Sequence, residues 1–73
     1  MLPVKIVIAD DEPGVLLLLR SILSELEGAL VVGTTENAND AMKVAREQSP
    51  DLAFLDIELP DMKGIELSEK LRE

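Results

Sequence analysis

Val4 to Ala9 is apolar at every position except Lys5, and it is short and rich in β-branched residues. A run without alternation predicts a strand covered on both faces, as in parallel sheets. From Pro13 to Glu27 the period changes. Apolar residues stand at 15, 16, 19, 22, 23 and 26, the spacing of a helix face, and Leu17 and Leu18 widen that stripe. Pro13 suits a first helical turn, an acid before it can cap the exposed amides, and Gly28 is a suitable terminator. Leu30 to Thr34 predicts a second strand. A second helix capped by Asn37 or Asn39 runs to about Gln48, with Ala41, Met42, Val44 and Ala45 available for burial, and Pro50 closes it. Leu52 to Asp56 predicts a third strand, 57–63 a loop, and a third helix starts near Ile65, offers Ile65, Leu67 and Leu71, and is still running at Glu73. The order β-α-β-α-β-α implies right-handed crossovers and a three-stranded parallel sheet, an α/β fold in one domain over 1–73.

Length changes this picture by making it marginal. A chain of 73 residues buries roughly 60% of its unfolded surface. Its hydrophobic content of 47% is enough for a packed core, and with Phe54 the only aromatic residue that core must be aliphatic. A net charge of -8 argues against direct contact with nucleic acid or an anionic membrane and suits a cation or a basic protein partner. Without histidine or cysteine there is no Ser-His-Asp relay, imidazole ligand, thiolate chemistry or disulfide. Val15 to Leu19 is too short to cross a bilayer, and the first five residues lack the features of a signal peptide, so a soluble cytoplasmic domain is expected.

The candidate chemistry lies in the acids. Asp10, Asp11 and Glu12 follow the first predicted strand, and Asp56 ends the third. Taken separately, each has an ordinary reading: Asp56 as a turn-capping residue, the others as first-turn acids favoured by a helix dipole. Taken together, they fall at the carboxyl ends of neighbouring strands, where open α/β sheets bind ligands. Like charges gathered there are costly unless a cation sits among them, and Mg²⁺ needs only two or three carboxylates because it keeps its waters. A carboxylate beside such an ion can act as a nucleophile toward phosphorus.

Three stretches carry a resemblance: Ile6-Val7-Ile8-Ala9-Asp10-Asp11-Glu12-Pro13, the segment Val32 to Ala38, and Asp51 to Gly64 with its Asp-x-x-x-Pro-x-x-x-Gly pattern. Together they resemble the N-terminal portion of two-component response-regulator receiver domains, over essentially the whole chain. The resemblance implies a truncated flavodoxin-like three-layer fold and a phosphoacceptor module that is not itself an enzyme. It implies that Asp56 accepts phosphate from a histidine kinase or phosphotransfer protein. It also implies that Asp10, Asp11, Asp56 and the backbone carbonyl of Glu58 hold Mg²⁺, while Pro60 and Gly64 shape the loop. Leu59, Asp61 and Lys63 fall in a loop expected to tolerate change. The family has about five βα units, with a Ser or Thr ending the fourth strand and a Lys ending the fifth. Neither segment lies within these residues, their roles do not pass to Thr34, Thr35 or Lys63, and phosphorylation is expected to be impaired.

Other readings lack a required part. A nucleotide hydrolase with its acids on the first strand needs a Gly-x-x-x-x-Gly-Lys-Ser/Thr loop, and none is present. A haloacid-dehalogenase-type phosphatase wants Asp-x-Asp where this chain has Asp56-Ile57-Glu58. A dinucleotide-binding half-domain wants glycines where Asp10 to Pro13 stand, and those acids would repel pyrophosphate. The rival of a different class is a truncated or engineered half-fold that self-associates into a homodimer through an open third-strand edge, without phosphoryl transfer.

Overall fold

A computed structural model describes residues 3–72. Three strands, β1 (Val4–Ala9), β2 (Ala29–Thr35) and β3 (Leu52–Leu55), alternate with three helices, α1 (Pro13–Ser24), α2 (Ala38–Gln48) and α3 (Gly64–Leu71). The sheet is parallel in the order β2-β1-β3, so β1 takes the centre. From Ile6 to Ala9 that strand is buried throughout, as its unbroken apolar run predicts.

The helices complete three layers. On one face Leu16 and Leu23 of α1 pack with Ile6 and Ile8, flanked by Leu19, Ala29 and Val31. On the other, Ala38 and Ala41 of α2 and Leu67 of α3 pack with Ala9 and Leu59, flanked by Met42, Leu55, Met62 and Leu71. The pairing of β1 with β2 slips between Ile6 and Val7, leaving Val32 as an extra residue. Next to it Gly33 lies under Val44 of α2, so close that a Cβ there would stand 2.8 Å from the valine Cγ1. The backbone of β2 can approach α2 only because that position is glycine.

Helix boundaries differ from the pattern in instructive ways. α1 stops at Ser24, not Glu27, because the chain tightens into three-residue bonds from Glu25 N–H to the Ile22 carbonyl and from Leu26 N–H to that of Leu23. Gly28, at φ +85°, then turns the chain into β2. No acid side chain caps α1: Glu12 occupies the cap position without a side-chain hydrogen bond. Val15, Leu17, Leu18, Ile22 and Leu26 are exposed, so the wide apolar stripe is only partly a core face. Asn37, rather than Asn39, caps α2, its Oδ1 accepting from Asp40 N–H at 2.8 Å. α2 ends where Ser49 turns left-handed ahead of Pro50, which disfavours a helical conformation in the residue before it. α3 runs to Leu71 with Arg72 as its cap, and its expected continuation to Glu73 lies outside the described residues. No helix among the described residues is long and apolar enough to cross a membrane.

Candidate metal and phosphoacceptor site

Register brings the acids together. β1 and β3 run parallel with Ile6 opposite Leu52 and Ala9 opposite Leu55, so Asp10 and Asp56 leave the sheet side by side. The ladder continues one step into each: Asp56 N–H donates to the Ala9 carbonyl at 2.9 Å, and Asp10 N–H to that of Thr35 at 3.0 Å. At the opposite end of the strands, Asp51 N–H donates to the Lys5 carbonyl at 2.8 Å and Asp51 Oδ2 accepts from Lys5 N–H at 2.9 Å. Lys5 Nζ also donates to the Gln48 carbonyl at 2.8 Å. The pair is therefore pinned at both ends and cannot slip by a residue, which would turn every side chain to the other face.

One carboxylate oxygen each from Asp10, Asp11 and Asp56 lies within 4.8 Å of the others. Asp10 and Asp56 are half-buried and Asp11 is exposed. Asp10 Oδ1 accepts from Glu12 N–H at 2.9 Å, which turns the chain out of β1 and orients that carboxylate. Glu58 N–H is a longer 3.5 Å from Asp56 Oδ1, too far for a strong bond. The donor set fits a hard cation: all oxygen, anionic, and open to solvent for the remaining waters. Oxygens around Mg²⁺ stand about 3 to 4 Å apart at its usual bond length, so 4.8 Å is closed by a small side-chain movement or by one bridging water.

The loop from Asp56 to Lys63 is tied down at several points, contrary to the tolerance expected of Leu59 and Asp61. Leu59 is buried in the α2–α3 core. Its N–H donates to the Met62 carbonyl at 3.0 Å, and Glu58 and Lys63 pair as an isolated antiparallel bridge. The carboxylate of Asp61 accepts two amides of α2, Ala38 N–H at 2.7 Å and Asn39 N–H at 2.9 Å. These bonds, that from Ala38 foremost, hold the Asp61 carboxyl below the usual aspartate range, against a desolvation that pushes the other way. Nothing near Asp61 in sequence announces this role, since its partners lie 22 and 23 residues upstream. Gly64 N–H donates to the Ile57 carbonyl at 2.7 Å, and a side chain at 64 would collide with the backbone carbonyl of Asp56. That close approach is the physical reason for glycine here. Thr35 is buried and spends its hydroxyl on the Ile8 carbonyl, and Lys63 is an exposed residue at the start of α3.

BvgA of Bordetella pertussis is 41% identical and response regulator GacA of Pseudomonas aeruginosa 34% identical, each over 68 residues that make up 93% of this chain. The chain spans 32% of the length of these relatives. Among solved structures, the signal receiver domain of NarL from Mycobacterium tuberculosis superposes with a TM-score of 0.92 at 28% identity, covering 99% of this chain and 58% of that one. The isolated receiver domain of RcsB from Salmonella enterica superposes at 0.87 with 26% identity, over 96% of this chain and 53% of that one. Residues 6–73 match the response regulator receiver domain, and the chain belongs to that family.

Proposed function

We propose that this chain is a phosphoacceptor module of two-component signalling in the cytoplasm, taking a phosphoryl group onto Asp56 from a histidine kinase or phosphotransfer protein. The observation that carries the reading is the convergence of Asp10, Asp11 and Asp56 at the carboxyl ends of two paired strands. Asp10 and Asp11 would hold Mg²⁺ together with Asp56 and the Glu58 carbonyl. When bound, Mg²⁺ neutralises negative charge on the phosphoryl oxygens and the acids.

The chain's own residues supply nucleophile and alignment. A free carboxylate oxygen of Asp56 forms the new P–O bond. The P–N bond of the donor phosphohistidine breaks, and its electron pair stays on the imidazole nitrogen. Among the described residues the Asp56 carboxylate has one weak contact, from Glu58 N–H, and so keeps oxygen lone pairs open for attack. The β1–β3 ladder sets where it points.

Incubation with acetyl phosphate and Mg²⁺, followed by intact-mass and peptide mass spectrometry, tests the assignment. A phosphoryl group on Asp56 at low yield, absent from Asp56→Asn, is expected, and an adduct that persists in that variant would refute it. Self-association has less support. Leu52 and Phe54 are exposed on the β3 edge, but a further strand of a longer polypeptide covers them as well as a second copy does.

A further inference from the structure

We propose that Asp61 is a positioning residue for the site: its carboxylate ties the loop that carries Glu58 to the first turn of α2, and so sets where the Glu58 carbonyl stands. The inference rests on the metal reading of that carbonyl. It adds a residue that is neither ligand nor nucleophile.

Two features separate Asp61 from an ordinary helix cap. First, α2 already has its cap. Asn37 Oδ1 takes the amide of Asp40, and the Asn37 carbonyl takes that of Ala41. Asp61 takes the two amides left over, Ala38 and Asn39, one on each oxygen. The charge lies at the positive end of the helix dipole, where it is favourable. Second, Asp61 is joined rigidly to the ligand. The bridge between Glu58 and Lys63 and the bond from Leu59 N–H to the Met62 carbonyl make 58–63 one tight turn, with Glu58 near one end and Asp61 beyond its middle. Fixing Asp61 on α2 therefore fixes Glu58. β3 offers the loop little comparable support, because it pairs on one side only and half of its residues are exposed. The loop is held from the helix side, by Leu59 in the core and by Asp61 on the amides.

Asp61→Ala, Asp61→Asn and Asn37→Ala in the 73-residue chain test the proposal. Asn37→Ala removes the other cap of α2, leaves the loop alone and changes no charge. In metal-free protein, Asp61→Ala should speed amide exchange at Leu59 and Gly64, whereas Asn37→Ala should speed it at Asp40 and spare the loop. In Mg²⁺ titrations at high ionic strength, where the lost charge itself is screened, Asp61→Ala should weaken affinity about tenfold, the lower end of what partners of a metal ligand are worth. Asp61→Asn, which keeps one acceptor, should fall between it and wild type, and it carries the test if Asp61→Ala does not fold. Asn37→Ala should bind as wild type does. Wild-type exchange at Leu59 and wild-type affinity in the Asp61 variants, with stability lost as in Asn37→Ala, would reduce Asp61 to a second cap and overturn the proposal. If the wild-type chain binds no Mg²⁺, the metal reading fails by itself. Exchange at Leu59 then decides whether the tether stands or falls.

Discussion

β1 and β3 are both short, both apolar and both followed by an acid of the site, yet they stand in opposite surroundings. β1 is central, with Ile6 to Ala9 at most 3% exposed. β3 is an edge, with Leu52 46% and Phe54 39% exposed. The acids nevertheless emerge level with each other. Burial therefore does not place them; the ladder does, together with pins at both ends of β3: the Lys5–Asp51 exchange at its start and the Asp56-to-Ala9 bond at its finish. The central strand is rigid because it is packed, and the edge strand takes its position from that neighbour and from the loop beyond it.

The contrast should be sharpest in core substitutions. Ile8→Ala, at a position with no exposure, should cost about 2–5 kcal/mol. A chain of this length has roughly 4–11 kcal/mol in all, so much of its stability would go. Phe54→Ala, directly opposite Ile8 in the ladder, should cost about 1 kcal/mol or less. Urea denaturation of both variants compares them, and equal losses would mean that β3 is packed as β1 is.

Gly64→Ala should have an intermediate effect and an unexpected sign. Helix propensity favours alanine over glycine by about 1 kcal/mol. The collision with the Asp56 carbonyl should reverse that, to a net loss of about 1–3 kcal/mol, and move the amide resonances of 56–58. A more stable variant with unmoved resonances would show that the loop yields freely.

The smallest effect concerns acid. Because folding lowers the carboxyl pKa of Asp61, its contribution is complete above the ordinary aspartate range. It is lost as pH falls through the lower folded value. Asp61→Asn should therefore flatten the acid limb of stability against pH and leave its slope near neutrality unchanged. Urea midpoints across that range check this.

How far these features could be read from the chain follows the range of the interactions behind them. The apolar run of β1 and the helical spacing before Gly28 are local: β1 stands where the pattern predicts, and α1 starts at Pro13 as expected but ends at Ser24. The convergence of Asp10, Asp11 and Asp56 was legible because parallel strands send their carboxyl ends to one edge. Within α1 the pattern misled at Val15 and Ile22, which share the helical spacing of the buried Leu16 and Leu23 and yet are exposed. The grip of Asp61 on Ala38 and Asn39 left no local trace. Its partners lie 23 and 22 residues away along the chain.

Whether acids from two strands form one cation site is tested most directly by Mg²⁺ titration followed by amide chemical shifts. Shifts should concentrate at 10–12 and 56–58 and weaken as pH falls, because protons compete for the same carboxylates. They should vanish in Asp10→Asn and Asp11→Asn with the rest of the spectrum intact. Shifts confined to residues far from both strand ends, or unchanged in those variants, would contradict the account.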